Sequence, residues 1–123
     1  MKILRKCALV ACLASAGVLA LTVPAQAASG TAKAPYKSGA KVIAAANLNG
    51  PNPVGTQLCV YLNAQHPFTP DVNVASKCKK INAGTVSVSV TPSQCSNWTT
   101  WAVAKYNGRI IWQGSSKYNF ICP

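Results

Sequence analysis

Apolar and polar residues alternate along most of this chain, and no long stretch repeats at a helical period. The cleanest alternation runs from Thr85 to Val90. Val86, Val88 and Val90 take one side there, and Thr85, Ser87 and Ser89 the other. Successive side chains of a strand point to opposite faces, so this run predicts a half-buried β-strand. Thr56 to Leu62 repeats the pattern, with Leu58, Val60 and Leu62 opposed to Gln57, Cys59 and Tyr61. Lys41 to Leu48 alternates more loosely and predicts a first strand, although Ala44-Ala45-Ala46 would also suit a helix. Val72 to Lys80 and Tyr118 to Cys122 read as further strands. Turn residues separate these runs: Asn49-Gly50-Pro51-Asn52-Pro53, the prolines of His66-Pro67-Phe68-Thr69-Pro70, Thr91-Pro92-Ser93 and Gly114-Ser115-Ser116.

The stretch from Cys95 to Cys122 organises the rest. Asn107-Gly108 at its centre is a strong hairpin signal, because a type I′ turn needs positive φ at both central residues. With that turn, Tyr106 faces Arg109, Lys105 faces Ile110 and Val103 faces Trp112. This register puts Trp101, Val103, Ile110 and Trp112 on one apolar face, read as core. Ala102, Ala104, Tyr106, Arg109, Ile111 and Gln113 take the other. Trp98 is then the tryptophan expected at the surface. About seven short strands without a strong helix predict an all-β fold, a small antiparallel β-sandwich.

The N-terminus changes the picture of the whole chain. Lys2, Arg5 and Lys6 precede an apolar run from Cys7 to Val23, and Ala25-Gln26-Ala27 follows as an Ala-x-Ala cleavage pattern. This is the layout of a secretory signal peptide, with cleavage after Ala27 and no transmembrane segment in the mature form. The expected organisation is a signal peptide over 1–27, a mobile basic arm over 28–40 and one sandwich domain over 41–123. Removing 27 of 123 residues leaves 96, and with them go three of the 12 basic residues. Nine cations and a single acid, Asp71, then give the mature chain a net charge of +8.

Four cysteines also remain: Cys59, Cys78, Cys95 and Cys122. An even count in a short exported chain reads as a disulfide framework, and four cysteines allow three connectivities. Folding 59–78 as a hairpin centred near Phe68 sets Cys59 opposite Cys78, which leaves Cys95 for Cys122. A secreted all-β chain of this size, with its cysteines joined first to second and third to fourth, resembles the tendamistat family of streptomycete α-amylase inhibitors. The Cys95-to-Cys122 spacing is similar to that family's second bridge. The resemblance implies a two-disulfide β-sandwich and places an inhibitory loop between the first two cysteines. That loop corresponds here to Asn63–Asp71, which offers His66, Phe68 and Asp71 in place of the family's Trp-Arg-Tyr signature. Amylase inhibition is therefore not carried over. Signal style and composition also resemble small secreted actinomycete proteins of no assigned activity.

The chemistry available to the mature chain is narrow. One carboxylate side chain rules out paired carboxylates for acid–base work. His66 and Asp71 lie in one proline-rich loop, a poor scaffold for a catalytic triad. The cysteines have no Cys-x-x-Cys spacing, and export favours disulfides over zinc thiolates. The expectation is a monomeric protein that is not an enzyme, with no catalytic or metal residues, no cofactor and no small-molecule substrate. Binding through charge stands first. Lys77, Lys79 and Lys80 surround Cys78, and Lys105, Arg109 and Lys117 lie by the hairpin. Such a field suits an anionic extracellular or cell-wall polymer as partner. The alternatives are a proteinaceous inhibitor of a secreted hydrolase acting through loop 63–71, and a structural surface protein without a specific ligand.

Overall fold

A computed structural model describes residues 28–65 and 70–123. Eight strands form there: β1 (Ser29–Ser38), β2 (Lys41–Asn49), β3 (Gln57–Gln65), β4 (Val72–Lys80), β5 (Gly84–Val90), β6 (Ser96–Tyr106), β7 (Arg109–Ser115) and β8 (Asn119–Ile121). They make two antiparallel sheets. The smaller has the order β1-β2-β5. The larger runs β4-β3-β6-β7, and β8 pairs with the start of β6 beyond the end of β7. The expected all-β, two-layer architecture is the one found. The segment 1–27, expected as a signal peptide, lies outside the described residues.

The core is built from the alternation. Val42, Ala44, Ala46 and Leu48 of β2 face Leu58, Val60, Leu62 and Ala64 of β3, together with Val86, Ala102 and Ala104. The Ala44-Ala45-Ala46 run is thus a strand, with its outer two alanines turned to the core and Ala45 to the other face. Both disulfides join the predicted partners. Cys59 sits directly opposite Cys78, and Cys95–Cys122 closes the ladder one step beyond Ser96↔Ile121.

The segment expected as a mobile arm is instead β1. It pairs with β2 from Ser29↔Asn49 to Ser38↔Lys41 and forms the edge of the smaller sheet. Its signal is weak because its inward residues are small, Gly30 and Ala32. A bulge between Lys33 and Tyr36 breaks the alternation and accommodates buried Pro35.

The central hairpin turns where expected. Asn107 and Gly108 both have positive φ, at 52° and 76°, and Lys105↔Ile110 and Tyr106↔Arg109 pair as read. Past that point an irregularity at Ile111 shifts the register, so Ala104 opposes Trp112 and Val103 opposes Gln113. One added residue flips every side chain beyond it to the other face. The core face of β6 is the alanine face, set by its regular ladder to β3, where Ala102 opposes Val60 and Ala104 opposes Leu58. Trp98 is buried, with its Nε1–H donating to the Ile121 carbonyl at 3.3 Å. Trp101 is 40% exposed on the outside. The assignments of these two tryptophans from sequence are thus reversed. Trp112 alone of the expected apolar face turns inward, where it lies over Gly114 and reaches Gly30 of the facing sheet. A Cβ on Gly30 would stand 3.1 Å from that indole and 2.5 Å from the Asn47 carbonyl oxygen.

Candidate functional site on the outer face of the larger sheet

Registers across β4, β3, β6 and β7 define rows of side chains on the outward face. The central row is Ser76–Tyr61–Trp101–Ser115. Tyr61 and Trp101 are cross-strand neighbours with ring centroids 5.1 Å apart and planes tilted by 31°. This separation is in the range where aromatic pairs attract, so the tyrosine holds the indole in place. One row toward the hairpin turn lies Cys78–Cys59–Val103–Gln113, which carries the first disulfide. The next is Lys80–Gln57–Lys105–Ile110. In the other direction come Asn73–Asn63–Thr99 and then Gln65–Asn97–Phe120. Phe120 is 64% exposed.

The lysines expected to act as triples are distributed differently. Alternation along β4 sends Lys80 to the outer face with Cys78, while Lys77 and Lys79 oppose the inward residues Val60 and Leu58 and emerge at the sheet edge. All three are exposed. Lys105 joins Lys80 in one row, two strand spacings or about 10 Å away across Gln57. Arg109 faces Tyr106 at the hairpin tip. Lys117 follows β7, at the opposite end of the sheet. The cations that the fold brings together thus come one from each predicted triple. Their meeting depends on β3 lying between β4 and β6, which no local pattern announces.

Asp71 accepts a hydrogen bond from the Tyr118 hydroxyl at 2.6 Å. That bond, with a smaller contribution from desolvation and the carboxylate's charge, raises the Tyr118 pKa above its ordinary value of 10.0. The one Asp or Glu of the sequence is therefore engaged by a phenol. Nearby, Ser116 fills the break between β7 and β8. Its Oγ accepts from the Thr100 amide, and its own amide donates to the Thr100 carbonyl, each at 2.9 Å. His66 and Phe68 of the expected recognition loop lie outside the described residues.

Sequence reading missed Tyr61, Trp101 and Phe120 as a group. The available signal was the Gln57, Cys59, Tyr61 side of β3, a mixed row opposed to an aliphatic one. Among the described residues, no cluster of three or more His, Cys, Asp or Glu is gathered, and no helix is long and apolar enough to cross a membrane. No family model, curated protein or solved structure matches the chain.

Proposed function

We infer that this chain is a secreted, non-enzymatic binding protein for an anionic extracellular or cell-wall polymer. The observation that carries this reading is the charge balance in its structural setting. Nine cations remain after the signal peptide, and the one carboxylate, Asp71, is hydrogen-bonded to Tyr118. Lys77, Lys79, Lys80, Lys105, Arg109 and Lys117 are all exposed. A surface charged with one sign attracts polyanions from a distance set by ionic strength. The pairing of Lys80 with Lys105 on one face gives that attraction a place to act. Two disulfides in an all-β chain fit an oxidising, extracellular setting. The alternative reading, an inhibitor acting through loop 63–71, rests on His66 and Phe68, which lie outside the described residues, and on Asp71, which accepts a hydrogen bond from Tyr118.

Binding of the mature protein to wall fractions and to anionic vesicles, measured across salt concentrations, tests the proposal. Each neutralised site releases a counterion, so log affinity should fall linearly with log salt. Changing Lys80 and Lys105 together to Gln should weaken binding and flatten the slope. Absence of affinity for any polyanion at roughly 20–50 mM salt, where screening is still weak, contradicts it.

A further inference from the structure

The charge reading leaves the centre of the outer face unexplained. Trp101 is a large apolar side chain, 40% exposed, on a strand whose other face buries Trp98 almost completely. Tyr61 braces it from the neighbouring strand. Around this pair lie Ser76 and Ser115 in its own row and Asn63 in the next, while the row on the other side carries the Cys59–Cys78 bridge, Val103 and Gln113. Lys80 and Lys105 stand two rows away, about 13 Å along the strands.

We propose that this face binds an acidic polysaccharide, with a sugar ring stacked on Trp101 and acid groups of neighbouring sugars reaching Lys105 and Lys80. The proposal rests on the anionic-polymer reading and names its substrate class. A pyranose ring has one face of C–H bonds, weakly positive, which complements the negative face of an indole. Its rim of hydroxyls both donates and accepts, as do the side chains of Asn63, Ser76 and Ser115. A polymer with acid groups on only some of its units matches a strip whose rows carry cations at Lys80 and Lys105 alone, with Lys117 following β7 off the rows at the other end. Single-stranded nucleic acid also stacks on aromatic rings, but its phosphates recur at every nucleotide and call for a basic groove that tracks the backbone. Here the rows on the far side of Trp101 carry Asn73, Asn63, Thr99, Gln65, Asn97 and the exposed Phe120, and no cation. The bracing of Trp101 by Tyr61 also reduces the side-chain freedom lost on binding.

The test uses the mature, disulfide-bonded protein and four probes: polygalacturonate, hyaluronate, inorganic polyphosphate and single-stranded DNA. Trp101→Ala should weaken binding to at least one acidic polysaccharide tenfold or more, and leave polyphosphate affinity within twofold. Trp101→Phe should restore most of the loss, and thermal midpoints report whether each variant is folded. Lys80→Gln with Lys105→Gln should weaken all four. If Trp101→Ala binds both polysaccharides as wild type does while the lysine variant is weakened, the charge reading stands and the glycan inference falls. Binding in which DNA is preferred and depends on Trp101 also overturns it, in favour of a nucleic-acid partner. If none of the four probes binds, both readings fail together.

Discussion

Trp98 and Trp101 are three residues apart on one strand and occupy opposite environments. Trp98 is 4% exposed and hydrogen-bonded to Ile121; Trp101 is 40% exposed against Tyr61. Truncating the first leaves a cavity and removes a large buried area, so Trp98→Ala should cost about 3–5 kcal/mol. Trp101→Ala removes an aromatic pair at the surface and should cost about 1 kcal/mol or less. Urea unfolding of the two variants checks this, and equal losses would place both rings in the core. Tyr118 supplies a second prediction at this scale. Its neutral form is the one that bonds Asp71, and its pKa is raised in the folded protein. The stabilisation from that bond is therefore complete below the ordinary tyrosine value and disappears as pH rises through the folded value. A phenolate absorbance titration should show one tyrosine ionising late. Asp71→Asn should bring that midpoint back toward 10.0.

At the scale of elements, the sequence was most readable where local rules act alone. The alternation of β3 and β5, the Asn107-Gly108 turn and the opposition of Cys59 to Cys78 follow from period-2 patterning and turn chemistry. Reading failed where one residue or one neighbour decides. The irregularity at Ile111 parts Trp112 from Ile110 and sends it to the alanine face of β6, and that face is core because Ala102 and Ala104 oppose Val60 and Leu58 of β3. The inward side of β1 is glycine and alanine, too small to register as an apolar stripe, so a true edge strand looked like a tail. The outer face of the larger sheet was the least readable part. Tyr61 meets Trp101, and Lys80 shares a row with Lys105 across Gln57, only because β3 inserts between β4 and β6. β4 itself has a nearly continuous exposed surface and depends on its ladder to β3 and the Cys59–Cys78 bridge. Replacing both cysteines by serine should lower unfolding free energy by about 2–4 kcal/mol. Hydrogen exchange should then show β4 opening before β6. Uniform loss of protection across the sheet would mean that the bridge holds the whole sandwich and not this edge.

For the molecule as a whole, the two outer faces differ in character. The smaller sheet carries Tyr36 with the Lys33 ammonium already over its ring, and Ser29, Thr31, Thr85, Asn47 and Asn49, several of which hydrogen-bond one another: Asn47 to Asn49, Asn49 to Ser29 and Thr85 to Asn47. These groups satisfy each other across the sheet and leave fewer polar atoms to a ligand. The larger sheet instead exposes a braced indole between amides and two lysines. Its three tryptophans make the account directly measurable, since each has a distinct setting: Trp98 buried, Trp112 wedged against Gly30 and Trp101 on the proposed binding face. Following the three indole N–H resonances by NMR during titration with an acidic polysaccharide is the most direct measurement. The Trp101 signal should move with saturation and return on adding salt, while those of Trp98 and Trp112 stay in place. Binding that leaves Trp101 unmoved, or that shifts amides of β1, β2 and β5 instead, would contradict the assignment of this face.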